Sequence, residues 1–425
     1  MARKMKDSGI EWIGEIPEGW RTCLYKYCCS VQPGYPFNSA KFSNSSTDGF
    51  PLIRIRDITS GEIQTYYTGE YPPNYIVTAG DLLVGMDGDF NVRWWNNDVA
   101  LLNQRCCRVT EKDSVLRRFL YYVLPFTLQH INTLTYATTV KHLANGDILN
   151  SFIAFPSLPA QQNIVHYLDT VCSEIDAMLS KTRSSIEEHK KLKQAVITQA
   201  VTKGVRGERE MKDSGVEWAG LVPHHWGVAK IGSIGQTSSG ATPLRSKEAS
   251  FFDDATIRWV RTLDLNDGLV YDSSEKITEL ALASSACSIM PKGTVCVAMY
   301  GGAGTIGKCG LLMSDCATNQ AVCSIVCNRE IVSPIFLLMQ LLALKSYWMK
   351  YAVGTRKDPN ISQDIVARMK ILIPPLDEQK EITDHLDAKC AEINKLIAKK
   401  EQLVKELESY KKSLIYEVVT GKREV

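Results

Sequence analysis

The glycine-rich segment 302–307 is the part of this sequence whose residue types best suit phosphate binding. It reads GAGTIG, which fits G-x-G-x-x-G, and Lys308 and Cys309 follow it. A phosphate loop must open a helix, because the first helical N–H groups hold the phosphate. Here the chain continues as CGLLM, which is typical of a strand, and Cys309 stands where Mg²⁺ needs a hydroxyl. We therefore predict a hairpin turn, with a nucleotide-binding enzyme as a minor alternative.

The thirteen cysteines are a second group with ligand chemistry. A structural zinc site usually combines a C-x₂₋₄-C pair with a second pair. Cys323 and Cys327 have such a spacing, but no matching half is evident and no histidine lies between Trp226 and Asp384. The sequence therefore predicts free, buried thiols, no metal site and a reducing, cytoplasmic location.

Motifs of DNA-modifying enzymes and hydrolases are incomplete or missing. The run Tyr71-Pro-Pro-Asn-Tyr75 lacks the Asn or Asp before the prolines with which an adenine methyltransferase grips its target. The string Glu378-Gln-Lys380 spells a nuclease-like E-x-K, but it opens a predicted helix. Neither G-x-S-x-G nor H-E-x-x-H occurs. We predict no catalytic residue in this chain.

Composition limits the remaining classes. The chain has 425 residues, 44% of them apolar, and a net charge of +2. This balance predicts two or three globular domains and excludes a histone-like polyelectrolyte, but it leaves room for local DNA-binding patches. The longest apolar stretch, 331–344, is shorter than the roughly 20 residues of a membrane span, so no membrane partner is expected.

The sequence contains an internal repeat. Residues 5–20 read MKDSGIEWIGEIPEGW and residues 211–226 read MKDSGVEWAGLVPHHW, an offset of 206. A second pair, FPSLPAQQ from Phe155 and IPPLDEQK from Ile373, has an offset of 218. Two ordered blocks indicate a tandem duplication, and the period is too long for a solenoid. We call residues 5–20 and 211–226 the opening motifs.

Each repeat closes with a long helical segment. Residues 161–201 contain neither Gly nor Pro, and apolar residues follow steps of three and four from Ile164 and from Ile382. Such a seam predicts a coiled-coil pair, and an antiparallel pair would end the second helix near the first opening motif. The predicted seam residues are Ile164, Leu168, Ile175, Leu192, Ile382, Leu386, Ile393, Leu396, Leu403 and Leu407. Packing of each helix on its own domain is the alternative.

Between the opening motifs and the helices lie two variable parts, 21–154 and 227–372. Strand-like segments such as 50–59, 257–265 and 294–300 and helix-like segments at 116–128 and 334–351 predict a mixed α/β (α+β) domain in each. The predicted boundaries are 1–154 for the first domain, 155–204 for its helix, 205–372 for the second domain and 373–425 for its helix. The same fold occurs twice, with two different surfaces. This suits a protein that holds two domains, called readers here, which recognise different targets.

These features together resemble the specificity subunit of type I restriction-modification enzymes. The resemblance rests on the duplicated opening motif, the run PPLDEQ at 374–379 and the pairs Asn103-Gln104 and Asn319-Gln320. It covers nearly the whole chain. The first helix departs from the Leu-x-Glu-Gln pattern with Leu158-Pro-Ala-Gln161, a difference that bears on partner contacts.

The resemblance implies that the two variable parts are target recognition domains for the halves of a split double-stranded DNA site, held apart by the two helices. It implies two methylation subunits that supply S-adenosylmethionine chemistry and restriction subunits that use ATP and Mg²⁺, with no cofactor in this chain. A duplicated coiled-coil scaffold without DNA contact is the alternative from another class.

Loops at the domain tips are the expected DNA contacts, because arginine suits bidentate contacts to guanine. In the first domain the predicted residues are Arg54, Arg56, Asp87, Asp89, Asn91, Arg93, Thr138, Thr139 and Lys141. In the second they are Arg258, Arg261, Tyr300, Thr305, Lys308, Thr355, Arg356 and Lys357.

Overall fold

The structure is a computed structural model that describes residues 3–134, 141–301, 304–354 and 359–425. Residue contacts divide the chain into two compact units. Unit 1 comprises Met1–Thr182 and Gln402–Val425, and unit 2 comprises Arg183–Glu401. Each unit contains one variable domain and a segment of each long helix.

The strands are numbered β1 to β28 along the chain. The first thirteen are Met5–Asp7, Glu15–Pro17, Arg21–Leu24, Cys29–Pro33, Phe42–Ser43, Phe50–Ile53, Tyr66–Tyr67, Ile76–Val77, Leu82–Gly85, Val92–Trp94, Ala100–Leu102, Cys106–Glu111 and Phe152–Phe155. The other fifteen are Met211–Asp213, Leu221–Pro223, Gly227–Lys230, Gly235–Ser239, Ile257–Val260, Gly268–Val270, Lys276–Ile277, Ile289–Met290, Val295–Ala298, Cys309–Leu312, Cys316–Thr318, Val322–Cys327, Val353–Gly354, Pro359–Asn360 and Lys370–Ile373.

The α-helices are numbered α1 to α12. They are Tyr25–Cys28, Ile55–Ser60, Arg117–Leu134, Asn145–Leu149, Leu158–Lys203, Ile231–Ile234, Glu248–Phe252, Glu279–Ala283, Pro334–Ala343, Trp348–Tyr351, Gln363–Arg368 and Leu376–Val419. The long helices α5 and α12 have 46 and 44 residues. Of the helices in the described residues, none combines the length and apolar character that a membrane crossing needs.

Each domain contains one four-stranded and one five-stranded sheet, and the four-stranded sheet of unit 1 corresponds to the five-stranded sheet of unit 2. In unit 1 the strand orders are β10-β9-β12-β4 and β5-β7-β6-β11-β8, and in unit 2 they are β17-β25-β22-β23-β19 and β20-β18-β24-β21. A further strand pair, β3 with β13 and β16 with β28, leads into each long helix. The predicted mixed α/β class with an internal repeat is confirmed.

The opening motifs are alike in the two repeats because each of them folds into the same small hairpin. Met5 pairs with Pro17 and Met211 with Pro223, in the same register. The aspartate that begins each turn accepts the N–H of the glycine two residues later, at 2.9 Å in unit 1 and 3.0 Å in unit 2. The closing tryptophans, Trp20 and Trp226, are 3% and 0% exposed.

These hairpins receive the ends of the long helices. Tyr416 Oη, near the end of α12, donates to the carbonyl of Trp12 at 2.9 Å within unit 1. Gly421 follows with a φ of 71°, and a Cβ there would collide with Pro17. In unit 2, Gly204 has a φ of 74° and would place a Cβ 3.3 Å from Trp226. The second helix therefore ends beside the first opening motif, as the repeat predicts.

In each unit a segment of α5 packs against a segment of α12. In unit 1, Lys411 Nζ lies 2.6 Å from Asp176 Oδ1. In unit 2, Lys193 Nζ donates to Asn394 Oδ1 at 2.9 Å. Ile164, Leu168 and Ile175 of unit 1 and Ile382, Leu386 and Ile393 of unit 2 are at most 7% exposed, as a buried seam requires. Five of these six also pack in the core of their own unit, so their place in a seam between the helices stays a prediction. Leu407 is half-buried against the core of unit 1.

The predicted seam is wrong at three of its ten positions. Leu192, Leu396 and Leu403 are 51%, 41% and 43% exposed. The buried positions step by four and then three from Leu168 and Leu386, whereas the predicted seam stepped by three and then four. At each of these positions the prediction is displaced by one residue, which corresponds to about 100° around the helix axis. The inward residues include Cys172, Leu179 and Ile186 on α5 and Cys390 and Val404 on α12.

Residues 50–59 were predicted as one strand, but the strand ends at Ile53 and Ile55–Ser60 form helix α2. The Asp57 carboxylate accepts the Arg54 N–H at 2.8 Å, and Gly61 ends the helix with a φ of 78°. Both are local capping interactions, and they turn the chain away from the sheet after Ile53. In unit 2 the predicted strand 257–265 likewise stops at Val260.

The prediction of free, mostly buried cysteines is confirmed. Burial raises the pKa of the Cys107 thiol to about 12, and the pKa of Cys323 likewise to about 12. In the part of the chain that the structure describes, no three His, Cys, Asp or Glu side chains form a group suited to a metal ion.

Candidate nucleic-acid interface

Three chain segments of the first domain meet beside the Asn103-Gln104 pair. The Met86 N–H donates to the Arg105 carbonyl at 2.9 Å, and the Leu143 N–H donates to the Met86 carbonyl at 2.7 Å. Asp87 and His142 form an isolated antiparallel bridge. Gly34 lies so close to the Asn103 carbonyl that a Cβ would overlap it. This backbone network fixes the side chains on its outer face.

Asp87 is the centre of those side chains. Its carboxylate accepts from Arg105 Nη1 at 2.6 Å through Oδ2, and His142 Nδ1 lies 2.7 Å from Oδ1. The Asp87 side chain is 12% exposed, whereas those of Arg105 and His142 are both 64% exposed. One mostly buried anion thus orients two exposed polar groups, an arrangement suited to recognition of a polar ligand.

The other predicted residues of this loop region divide between surface and support. Asp89 and Asn91 are exposed, and between them buried Phe90, with a φ of 52°, anchors the loop. Lys141 Nζ donates to the Asn132 carbonyl and side chain, and Asn132 Nδ2 donates to the Gly88 carbonyl at 2.7 Å. Lys141 therefore ties the loop to the end of α3.

The predicted arginines of the first domain have mixed roles. Arg93 Nε and Nη2 donate to the Ile58 and Thr59 carbonyls, each at 2.8 Å, and so cap the end of α2. The Arg54 guanidinium lies 5.7 Å from the ring centroid of Phe42. Arg56 is exposed and donates to Thr65 Oγ1 at 2.8 Å. It lines a cleft of about 550 Å³ whose other walls carry Asn44, Ser46, Ile63, Gln64 and Tyr66.

The second domain repeats the backbone arrangement with different side chains. The Met299 N–H donates to the Ala321 carbonyl and the Ile361 N–H to the Met299 carbonyl, at 2.8 and 3.0 Å. By this pairing Tyr300, Ala321 and Asn360 stand where the first domain has Asp87, Arg105 and His142. The predicted hairpin is confirmed, because β22 pairs antiparallel with β23 and the described part of the glycine-rich segment, from 304 on, opens no helix.

The predicted residues of the second domain divide between surface positions and two arginines that bind carboxylates of the domain itself. Tyr300 is exposed at the turn, and Thr305 and Lys308 are half-buried. Arg258 Nε donates to Asp272 at 3.0 Å, and Arg261 Nη1 donates to Glu275 at 2.6 Å. Thr138, Thr139, Thr355, Arg356 and Lys357 lie outside the described residues.

A second polar group lies at the start of the long helices. Gln161 Oε1 accepts the Leu116 N–H and Gln379 Oε1 accepts the Ser333 N–H, at 2.9 and 2.8 Å. Their Nε2 groups donate to the carbonyls of Pro156 and Pro374. These buried glutamines explain why Gln survives in both repeats, since each satisfies main-chain groups where a helix leaves its domain.

Glu378, beside Gln379, is 3% exposed and binds four donors. Its Oε2 accepts from Arg209 Nη1 and Trp226 Nε1 at 2.9 and 3.1 Å. Its Oε1 is near His225 Nε2 and Arg206 Nη1. In unit 1 the equivalent residue is Ala160, and Trp20 Nε1 is buried without a hydrogen-bond partner among the described residues.

Arg105 and His142 were missed by sequence reasoning. Arg105 stands between Gln104 and Cys106, away from the basic and glycine-rich segments, and His142 directly follows the predicted Lys141. The position of Arg105 directly after the Asn-Gln pair was the available signal, because that pair recurs in the second repeat.

The family model of the type I restriction modification DNA specificity domain matches this chain twice, at residues 13–188 and 223–406. The chain belongs to this family. It is a DNA specificity subunit with two recognition domains, and the predicted family resemblance is confirmed.

Curated relatives agree with that assignment along the chain. The specificity chain is 29% identical over 397 residues to the EcoBI specificity subunit of Escherichia coli, covering 91% of this chain and 82% of that one. It is 23% identical over 429 residues to the MjaVIII specificity subunit of Methanocaldococcus jannaschii, covering 96% and 93%. Both are type I restriction enzyme subunits.

A solved structure shares the fold. The match is to a chain from work on complex assembly and conformational transition of the type I R-M system, with a TM-score of 0.72. The two chains are 15% identical, and the match covers 96% of this specificity chain and 99% of the other.

Proposed function

We propose that each domain of this chain reads one half of a split, asymmetric site in double-stranded DNA. The observation that carries the proposal is the same backbone meeting point in both domains, with Asp87, Arg105 and His142 in one and Tyr300, Ala321 and Asn360 in the other. A shared scaffold gives both domains a similar approach to the duplex. Different side chains at the equivalent positions give the two half-sites different sequences.

The proposal extends to the partners. Two methylation subunits and the restriction subunits dock on this chain, and they hold the S-adenosylmethionine, ATP and Mg²⁺. This chain catalyses no step itself. Helices α5 and α12 fix the gap between the half-sites. The family membership and the names of the relatives support this division of roles.

The predicted DNA-binding residues divide into proposed DNA contacts and residues that support the loops. Asp89, Asn91 and Tyr300 are exposed on the loops that meet beside the Asn-Gln pairs, so they stay in the proposed contact set with Arg54, Arg56, Thr305 and Lys308. Thr138, Thr139, Thr355, Arg356 and Lys357 stay in it on sequence grounds. Arg93, Lys141, Arg258 and Arg261 already bind groups of their own domain, and we assign them to support of the loops.

Exchange of one domain tests the two-reader proposal. Residues 21–154 would be replaced by the equivalent part of a relative, and methylated adenines would be mapped in cells that express the partner subunits. We expect one half-site to change completely and the other to keep its sequence, because separate readouts add independently. The matched control replaces 227–372 and should change only the opposite half. A coordinated change of both halves by either exchange would contradict the proposal.

A duplicated scaffold without DNA contact is the competing function. Gel-shift titration of the reconstituted complex with cognate and scrambled duplexes separates the two. The proposed function requires tighter binding of the cognate duplex, and equal binding of both would favour the scaffold.

A further inference from the structure

The cluster of Asp87, Arg105 and His142 has a geometry that an ordinary surface ion pair lacks. An exposed pair contributes about 0–1 kcal/mol and needs no partner beyond itself. Here the carboxylate is mostly buried and is held through both oxygens, while the two groups that hold it stand out into solvent. The ordering of these side chains therefore fixes the direction of N–H groups that have no partner among the described residues.

Arg105 differs in this respect from other arginines of its domain. Arg108 donates to the Ile76 and Asn74 carbonyls and to Gln32, and its side chain is 22% exposed. Arg117 and Arg118 are 27% and 28% exposed and bind carboxylates of their own unit. Arg105 donates to Asp87 from Nη1, and its other guanidinium N–H groups have no partner in the described part of the chain.

The free donors of Arg105 match one base edge. A guanidinium that is held at one Nη presents its remaining N–H groups in a fixed plane, and guanine offers O6 and N7 acceptors in the major groove at the matching spacing. Pre-organisation by Asp87 reduces the side-chain entropy that is lost on binding. A phosphate contact positions the protein on the duplex but carries no sequence information, so a guanidinium held in one fixed direction is of most use against a base edge.

We propose that Arg105 reads a guanine of the first half-site and that Asp87, braced by His142, is the positioning residue that sets its orientation. This inference rests on the proposed function. The second domain has Ala321 at the equivalent position, so its half-site depends on other contacts and serves as an internal control.

Methylation mapping with the reconstituted complex tests the assignment. We expect Arg105→Ala to relax discrimination at a single guanine position of the first half-site by about tenfold to a hundredfold. Asp87→Asn should relax the same position to a smaller degree, because an amide still accepts one hydrogen bond but no longer attracts the guanidinium. Arg105→Lys should not restore discrimination, since an ammonium lacks the planar fork. Arg21→Ala, at an exposed arginine of strand β3, is the matched control and should leave the motif unchanged.

Four outcomes separate the possibilities. A change confined to that one guanine supports the proposal. Equal weakening at all sequences would make Arg105 a phosphate contact and overturn it, and so would an unchanged motif or a change in the second half-site. If Arg105→Ala folds poorly, Asp87→Asn and Arg105→Lys carry the test. Their thermal midpoints, compared with that of the wild type, show whether they are folded. If the wild-type complex methylates no split motif, the proposed function itself fails.

Discussion

Glu378→Ala should lower the free energy of unfolding of the second domain by about 3–5 kcal/mol, the usual cost of removing one partner of a buried ion pair. The loss leaves Arg209, whose side chain is 16% exposed, without its carboxylate and Trp226 Nε1 without its acceptor. Urea titration that follows tryptophan fluorescence would measure the change.

The contribution of Glu378 depends on pH with a definite sign. Burial raises the pKa of this carboxyl, but hydrogen bonds from His225, Trp226 and Arg209 outweigh burial and hold the pKa below its ordinary value of 4.5. A carboxyl whose folded pKa is lowered stabilises the fold above its unfolded pKa, and the contribution disappears as the pH falls through the folded value. The difference between wild type and Glu378→Ala should therefore be largest near neutral pH and should shrink below about pH 4.

Glu381→Ala is the matched control, because Glu381 also binds Arg206 but its side chain is 48% exposed. It should leave the unfolding midpoint close to that of the wild type. Equal destabilisation by the two variants would show that the Arg206 contacts, and not the buried carboxylate, hold this region.

Insertion of one heptad into both long helices should lengthen the gap of the methylated motif by about three base pairs. Seven residues add roughly 10 Å of helix, and DNA rises about 3.4 Å per base pair. A heptad keeps the a and d positions facing the partner helix. Asp176 lies opposite Lys411, so Lys181 lies opposite Glu406, and the insertions belong after Lys181 and after Lys405.

Both half-sites should keep their sequences, with reduced activity, because three base pairs also turn the duplex by about a third of a helical turn. Insertion into α5 alone is the control and should lower the thermal midpoint without defining a new gap. A double insertion that retains the original gap would show that another element sets the spacing.

The sequence was most informative where the chain is duplicated. The opening motifs, the glutamines at 161 and 379 and the long helices were all visible, because identical residues carry identical local structure in both units. The seam failed at Leu396 and Leu403 because Ile397 and Val404, the next residues along α12, are apolar too, whereas Leu192 stands between two lysines. Only the packed partner decides which of two adjacent apolar faces points inward.

The recognition surface was less predictable for a physical reason. Asp87, Arg105 and His142 come together through pairing of segments far apart in sequence, and no local pattern encodes that meeting. Arg93, predicted as a DNA contact, donates to two carbonyls at the end of a short helix, and no local pattern in the sequence indicates that contact.

The division of the chain into units has a consequence for its synthesis. Unit 2 is continuous in sequence, whereas the core of unit 1 includes Leu414, Val418 and Val419 of α12. A nascent chain that has extended past Glu401 contains every residue of unit 2, but it still lacks part of the core of unit 1. Contacts such as that between Trp12 and Tyr416 close a loop of about 400 residues, the kind of pairing that forms late. The domain that leaves the ribosome first is therefore the one that completes its core last.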